Sequence, residues 1–301
     1  MSSPPPQFDL KAGMEPIPGC RLIKRIGRGG FGEVWDAQNI QDDSRLALKF
    51  LDCKHQPASL VVNEIKLLIQ LRDLQHDNLL QYYSVTASKN IIILTMELAE
   101  GSLNDLHYIY RMDHKSHVPS SVLINLMSQA ASGLDFIAQQ KLTQNSMMAQ
   151  HGMQHCDIKP SNLLLLSNKL KIADFGLSGP QLWNAKGKAF GTPLYAPPEL
   201  YEGKANTRTD QFSLAVTYVE LRTGQYPYPM STDGSFPNVS PDLSMLPESE
   251  RPVVAQALSP QWLNRFNSCQ DFVDALVKVV VPSSRGLPYV KRSSSHGSYR
   301  R

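Results

Sequence analysis

Apolar and polar positions follow two different patterns along the chain, and the pattern changes near residue 100. Before that point, short apolar runs separated by turns predict strands. The predicted strands span 21–26, 33–38, 46–51, 81–86 and 91–97. One segment between them, 60–71, instead repeats its apolar side chains at helical spacing. These positions predict a small sheet with a single helix packed against it.

Beyond Gly101 the apolar spacing becomes helical. We predict a helix from Ser120 to Ile137, a second over 207–224 with Gly224 as its stop, and a third over 271–281. The polar stretch 139–150 is predicted to be a surface loop. The helical spacing therefore dominates the second half of the chain.

Together the two patterns predict an α+β, bilobal architecture with its chemistry between the lobes. The predicted parts are a flexible N-terminal lead (1–19), a small β-rich lobe with one helix (20–99), a larger, mainly α lobe (100–282), and a basic, serine-rich, disordered tail (283–301).

The composition is globular, with 42% apolar and 19% charged residues among 301. The formal charge of +3 arises in the tail, so nucleic-acid binding is not expected. Four scattered cysteines without a Cys-x-x-Cys pair favour a reducing compartment over a disulfide framework or a zinc site. No apolar run approaches the roughly 18 residues of a membrane span. We expect a soluble, cytoplasmic protein without a membrane span.

Two short phrases carry the most specific chemistry. They are the segment from His155 to Asn162, which contains Asp157, and the triplet that begins at Asp174. Phosphoryl transfer needs a carboxylate that accepts a hydroxyl proton, oxygen ligands for Mg²⁺ and a cation for the nucleotide phosphates. The two phrases supply the first two, and Lys49 supplies the third.

A glycine-rich turn lies between the first two predicted strands, at 27–34. Its backbone N–H groups could lie against phosphates, but a Gly-x-Gly-x-x-Gly pattern also occurs in plain hairpins and in dinucleotide-binding domains. A dinucleotide-binding unit requires a helix after the glycines. Here a strand follows, which argues against that alternative.

Lys49 on the third strand would in isolation be interpreted as a solvated edge charge. Glu64, on the buried stripe of the predicted helix, changes that interpretation. A Lys49–Glu64 ion pair would aim the ammonium at the α- and β-phosphates of a nucleotide. We predict that pair, with a solvent-facing Glu64 as the alternative.

These motifs, in this order, resemble the Hanks-type serine/threonine protein kinases, and in particular the eukaryotic-like kinases of bacteria, over about 20–281. The resemblance implies ATP and Mg²⁺ as cofactors and proteins as substrates. It makes Asp157 the catalytic base, Lys159 the cation that neutralises the migrating phosphoryl group, and Asn162 and Asp174 the magnesium ligands.

The resemblance also assigns a nucleotide pocket. Its residues are Ile26, Gly27, Gly29, Gly32, Val34, Ala47, Lys49, Met96, Glu97, Ala99 and Leu164. Val34 would cover the adenine, backbone groups of Glu97 and Ala99 would bond it, and Met96 would limit the depth of the pocket. A methionine that merely fills the core is equally expected by chance.

Four further assignments follow from the resemblance. Thr192 would bond Asp157 and Lys159 and shape the floor under the substrate. The other three are a buried Glu199–Arg265 ion pair, a helix aspartate, Asp210, that braces the catalytic loop, and an interlobe stack of His155 and Phe175 with Leu68 as a third candidate.

Cys156 departs from the family pattern, which has an arginine there that meets a phosphate on the activation segment. The stretch between Ser178 and Thr192 also contains no Ser, Thr or Tyr. We therefore hypothesise that activation does not depend on phosphorylation in that loop, with Lys186 and Lys188 positioned by carboxylates instead. A neutral replacement and a redox role for Cys156 both stay open.

The main alternative to an active kinase is a pseudokinase, an ATP-binding scaffold without catalysis. Such proteins usually lose a lysine, a base or a metal ligand, and none is missing here. A small-molecule phosphotransferase would not need the segment 191–199 and ranks lower. The tail is predicted to be solvated, with an autophosphorylation or docking segment as the alternative.

Overall fold

The small lobe is an antiparallel sheet. The computed structural model describes residues 8–29, 32–54, 58–88, 90–140, 152–175, 192–230 and 235–281. The five strands are β1 (Cys20–Gly29), β2 (Gly32–Asn39), β3 (Arg45–Asp52), β4 (Tyr82–Ser88) and β5 (Ile91–Met96), in the spatial order β1-β2-β3-β5-β4. All five predicted strands are present, with ends that differ by a few residues.

Helix α1 (Ala58–Asp73) packs beside β4 and buries Leu68 and Leu71. It covers the face of the sheet that looks toward the second lobe. The predicted helix at 60–71 is therefore confirmed, with two more residues at each end.

The opposite face of the sheet carries a second apolar cluster, centred on Trp35 and Phe50. Phe8, Leu10 and Ile17 pack against it from the N-terminal lead. Residues 8–19 of the predicted flexible lead thus place three partly buried apolar side chains against the sheet, a contact that the sequence pattern does not show.

The second lobe is mainly helical. Its helices are α2 (Leu103–Met112), α3 (Ser120–Ala138), α4 (Pro198–Tyr201), α5 (Thr209–Thr223), α6 (Arg251–Ala257) and α7 (Cys269–Val280). All residues of α5 except Arg222 are buried, so it forms the centre of the lobe. None of the helices in the described ranges is long and apolar enough to cross a membrane.

A three-stranded sheet joins the lobes and was not predicted as such. It contains β6 (Gly101–Ser102), β7 (Leu163–Leu166) and β8 (Lys169–Ile172), and two short 3₁₀ turns lie at Pro160–Asn162 and Trp262–Asn264. Strands of two to four residues are too short for a period to be visible. Helix α2 was also missed, although Ser102 and Asp105 form a capping box at its start.

Candidate active site

Four hydrogen bonds fix the carboxylate of Asp157, which lies just before β7. Its Oδ1 accepts from the backbone N of Thr192 at 2.9 Å and from Thr192 Oγ1 at 3.1 Å. Its Oδ2 accepts from Lys159 Nζ at 2.8 Å and from Asn162 Nδ2 at 3.1 Å. The structure thus brings together the predicted base, the predicted phosphoryl cation and the predicted floor threonine.

Lys159 connects this carboxylate to Thr192. Its Nζ also lies 2.6 Å from Thr192 Oγ1, so one ammonium bridges the predicted base and the predicted floor residue. Asn162 uses its amide nitrogen on the carbonyl oxygen and the carboxylate of Asp157. The amide oxygen of Asn162 is consequently the atom that it offers to a cation.

The turn before Asp157 is held in an unfavourable backbone conformation. Cys156 has a φ of 64°, in the left-handed region that a non-glycine residue rarely adopts. The two oxygens of Asp210, in α5, accept from the backbone N atoms of His155 and Cys156 at 2.7 and 2.8 Å. Burial raises the pKa of Asp210. The predicted bracing role of Asp210 thus has a geometric basis.

Lys49 on β3 meets Asp174, directly after β8. Lys49 Nζ lies 2.6 Å from Asp174 Oδ1. Desolvation raises the pKa of Asp174, but the charge and hydrogen bond of Lys49 outweigh it and hold the pKa below its ordinary value. Asp174 also has a positive φ, 64°. The pair joins the small lobe to the end of the three-stranded sheet.

The predicted Lys49–Glu64 ion pair is not formed among the described residues, where Lys49 is paired with Asp174 instead. Burial raises the pKa of Glu64, and the charge of Lys49 offsets this only in part. Asp174 comes within 2.6 Å of the Lys49 ammonium, whereas Glu64 is not within ion-pair distance of it, so distance decides between the two carboxylates. Sequence periodicity placed Glu64 on the correct face but could not place Asp174.

His155 and Phe175 form the predicted contact between the catalytic loop and the triplet that begins at Asp174. Their ring centroids lie 4.8 Å apart in an edge-on arrangement. His155 Nε2 lies 2.8 Å from the carbonyl oxygen of Ala173, and its Nδ1 accepts from the backbone N of Asp157 at 3.2 Å. These partners assign the proton to Nε2. Leu68 is buried in the same apolar cluster as Phe175.

The predicted adenine-side residues of the sheet share one face. Val34 is paired with Lys49 across β2 and β3, and Ala47 is paired with Met96 across β3 and β5. Because paired and alternate residues of a sheet point the same way, these four side chains point into the cleft. The structure therefore gathers these four side chains on one face of the sheet, and their contact with a nucleotide stays a prediction.

The other predicted pocket residues border this face. Gly27 is paired with Val34 and Gly29 with Gly32, at the end of the glycine-rich hairpin. Leu164 is paired with Ser102 in the three-stranded sheet, while Ile26 is 46% exposed. The tip of the hairpin, 30–31, lies outside the described residues.

The segment after β5 holds a contact that sequence reasoning missed. The carboxylate of Glu97 lies 3.2 Å from Lys171 Nζ on β8 and accepts from the backbone N of Gln81 at 3.2 Å. Both ion-pair partners are largely buried. Sequence reasoning treated Glu97 and Ala99 only as backbone partners of adenine, and the distance between residues 97 and 171 in the chain concealed the pair.

Glu199 and Arg265 form the predicted buried ion pair. The guanidinium donates to both carboxylate oxygens, at 2.7 and 2.8 Å. Thr209 and Asn206 donate to the same carboxylate. Arg265 also lies over the ring of Phe212 on α5, at 5.0 Å from its centroid. The pair ties the segment after Thr192 to the base of the helical lobe.

The donor set suits a magnesium–nucleotide complex. Asp174 and Asn162 offer oxygen atoms, which Mg²⁺ prefers, and Mg²⁺ usually takes one or two protein groups together with phosphates. Within the described ranges, no three or more His, Cys, Asp or Glu side chains are grouped so that they could hold a metal ion.

Comparison with known proteins identifies the class. A family model described as protein kinase domain matches residues 20–286. The chain therefore belongs to the protein kinase family, and the Hanks-type fold predicted from the sequence is confirmed. CBL-interacting serine/threonine-protein kinase 7 of Arabidopsis thaliana is 29% identical over 267 residues, which is 82% of this chain and 57% of the relative.

Other relatives are as distant. The carbon catabolite-derepressing protein kinase of Saccharomyces cerevisiae is 29% identical over 276 residues, covering 88% of this chain and 41% of the relative. The chain thus spans 57% or less of the length of these curated relatives. The kinase domain of Mycobacterium tuberculosis PknI superposes with a TM-score of 0.69 at 24% identity, over 89% of this chain and 99% of that chain, a likeness that shows the fold.

Proposed function

We propose that the chain is a serine/threonine protein kinase that transfers the γ-phosphoryl group of ATP to hydroxyl groups of proteins. The observation that carries this proposal is the geometry of Asp157. Its carboxylate is oriented by Lys159, Asn162 and Thr192 and lies in the same cleft as the Lys49–Asp174 pair. Positioning and electrostatic stabilisation account for most of the catalysis of phosphoryl transfer.

The residues divide the work as follows. Asp157 accepts the proton of the substrate hydroxyl. The hydroxyl oxygen bonds to the γ-phosphorus of ATP, and the bond between that phosphorus and the oxygen that stays on the β-phosphate breaks. Lys159 neutralises the moving phosphoryl group, and Lys49 serves the phosphates that remain on the nucleotide. Asn162 and Asp174 would hold Mg²⁺, which supplies positive charge against the phosphates when it is bound. Glu64 would have a supporting role toward Lys49.

The decisive test compares Asp157→Asn and Lys49→Ala with the native chain, using radiolabelled ATP and a generic basic protein. We expect Asp157→Asn to bind nucleotide but to lose transfer by about 10²–10⁴-fold, the usual contribution of a general base. Matched controls are Asp77→Asn and Lys169→Ala, since these residues form an exposed ion pair at 2.9 Å. A native chain that binds nucleotide and transfers nothing is a pseudokinase, the alternative reading.

We further propose that activity does not require phosphorylation of the activation segment. Cys156 is buried and packs with Ala196 and Leu200. A thiol in an apolar cluster cannot receive a phosphate through bidentate hydrogen bonds as arginine does. The contact supports a link between the catalytic loop and the segment after Thr192 that depends on packing rather than on charge.

Phosphatase treatment tests this second part. Mass mapping of the active protein should find no phosphate that activity needs, and treated protein should keep its turnover. Inactivation by phosphatase would overturn the proposal. The segment 176–191, with Lys186 and Lys188, lies outside the described residues, so the predicted contacts of these lysines stay a prediction.

An apolar cleft beside Thr192 supports a preference for substrates with an apolar side chain next to the acceptor residue. It is lined by Leu194, Ala196, Tyr201, Tyr228, Met230 and Phe236. Because it begins directly after Thr192, a peptide with its hydroxyl at Asp157 would place a neighbouring side chain there. A peptide with Leu beside the acceptor should have a lower KM than the same peptide with Asp there. Equal KM values would reject the preference.

A further inference from the structure

Residues 8–19, which we call the N-terminal strap, lie outside the shared kinase domain, since the family match begins at residue 20. They are nevertheless folded against the outer face of the five-stranded sheet. Phe8, Leu10 and Ile17 contact the outer cluster there. That cluster contains Leu22, Trp35, Ala37, Leu46, Leu48, Phe50 and Ile93.

Backbone hydrogen bonds hold the strap in register with β1. The N–H of Gly13 donates to the carbonyl oxygen of Leu22 at 2.8 Å, and the N–H of Leu22 donates to that of Met14 at 2.9 Å. Arg21 adds a bond of 3.0 Å to the carboxylate of Glu15. The strap is therefore fixed by specific polar contacts and not only by apolar burial.

The strap lies directly behind the nucleotide face. Lys49 points into the cleft, and its neighbour Phe50 points outward, where its ring centroid lies 6.0 Å from that of Phe8. The backbone of Phe50 is paired with Glu33, at the end of the glycine-rich hairpin. A Cβ atom on Gly32 would come within 1.8 Å of the Phe50 carbonyl oxygen, so hairpin and strand are in close contact.

A second connection runs through Trp35. Its Nε1 donates to the carboxylate of Glu33 at 3.2 Å. That carboxylate is 2% exposed and lies 3.5 Å from both Arg25 and Arg28, which belong to the opposite strand of the hairpin. Trp35, in the outer cluster that the strap covers, thus holds the Glu33 carboxylate that connects the two strands of the glycine-rich hairpin.

We propose that the strap positions the glycine-rich hairpin for nucleotide binding, with Phe8 and Leu10 as positioning residues that act through Phe50 and Trp35. The proposal rests on the nucleotide site proposed above. If the strap detaches, the hairpin populates its binding-competent arrangement less often, and the apparent dissociation constant for nucleotide rises by the inverse of that fraction. The acceptor chemistry at Asp157 is untouched.

The test measures the binding of Mg·ATP to the full chain and to a Phe8→Ala, Leu10→Ala double variant. Binding by calorimetry does not depend on phosphoryl transfer, so failure of the strap proposal and failure of the proposed function are distinguishable. A fall of the competent fraction to a fifth raises the dissociation constant about fivefold. Where turnover is measurable, KM for ATP should rise alike, with kcat at saturating ATP retained.

Controls separate positioning from general damage. Asp9→Asn and Lys11→Ala alter exposed side chains of the same strap and should leave binding unchanged. A Phe8→Leu variant should restore most of the affinity, and hydrogen exchange of 20–38 shows whether the strap has detached. Faster exchange with an unchanged dissociation constant would overturn the proposal, as would equal effects in the exposed controls.

Discussion

The Glu199–Arg265 ion pair gives the sharpest test of how this chain is held together. The two residues are far apart in the chain, yet the guanidinium forms two bonds to the carboxylate, and the side chains are 0% and 9% exposed for Arg265 and Glu199. Replacing Glu199 by Gln keeps the shape and removes the charge. It leaves a buried guanidinium without a counter-ion, the costly way to break such a pair.

The expected loss follows from the burial. Removing one partner of a buried pair costs about 3–5 kcal/mol. In domains of roughly this size each kcal/mol lowers Tm by about 2–4 °C, so Glu199→Gln should lower Tm by about 6–20 °C. Total stabilities of about 5–15 kcal/mol make this a large share. No atom of the pair contacts Asp157, so the folded fraction should retain its specific activity.

The assay is thermal and urea unfolding, with turnover measured well below the transition. Lys204→Met is the matched control, because Lys204 and Glu202 are 2.9 Å apart but 71% and 62% exposed. An exposed pair contributes at most about 1 kcal/mol. The reasoning is refuted if Glu199→Gln melts no lower than Lys204→Met, or if a fully folded Glu199→Gln protein is inactive.

Three further changes have defined outcomes. Gly32→Ala places a Cβ 1.8 Å from a backbone oxygen and should raise KM for ATP, whereas Gly27→Ala meets only a side chain at 3.6 Å and should have a smaller effect in the same assay. Asp210→Asn replaces one accepting oxygen by an amide NH2 that cannot accept from the backbone N–H it faces. It should lower the free energy of unfolding, measured in urea, by about 1–3 kcal/mol. Burial raises the pKa of Glu64 in the folded protein, so keeping this side chain ionised at neutral pH costs stability. Glu64→Gln should therefore raise the free energy of unfolding at neutral pH. The gain should disappear as the pH falls toward about 4.3, the ordinary pKa of Glu in an unfolded chain.

Local motifs were predictable because their geometry is set within a few residues. Asp157, Lys159 and Asn162 lie in one turn before β7, so their order in the chain nearly determines their contacts. The strands of the small lobe were also predictable, since each runs six to ten residues with a visible alternation or apolar run.

The partner of Lys49 was not predictable from the same evidence. Which carboxylate reaches its ammonium depends on how α1 and the end of β8 are placed relative to β3, a tertiary property. Both Glu64 and Asp174 have the right chemistry, and only the distance decides. The resemblance predicts the Lys49–Glu64 pair, whereas Lys49 is paired with Asp174 in this structure.

The strap was missed for a different reason. Phe8, Leu10 and Ile17 are separated by polar residues and prolines, with neither a helical nor a strand period, so composition alone predicts a flexible lead. Their burial requires an apolar outer face on the sheet. That face was present in the alternation of β2 and β3, in which Trp35 and Phe50 point away from the cleft, but a sequence does not show what covers such a face.

These contacts divide the site into two halves with separate supports. Asp210 and the floor hold Asp157 from within the helical lobe, whereas the strap acts on the hairpin from the outer face of the small lobe. Asp210 and the strap share no contact, so the effects of substitutions in each on kcat/KM should add within about 0.3–0.5 kcal/mol. Combining Asp210→Asn with Phe8→Ala tests this. A larger coupling would show that the strap reaches Asp157, through the Lys49–Asp174 pair that joins the lobes.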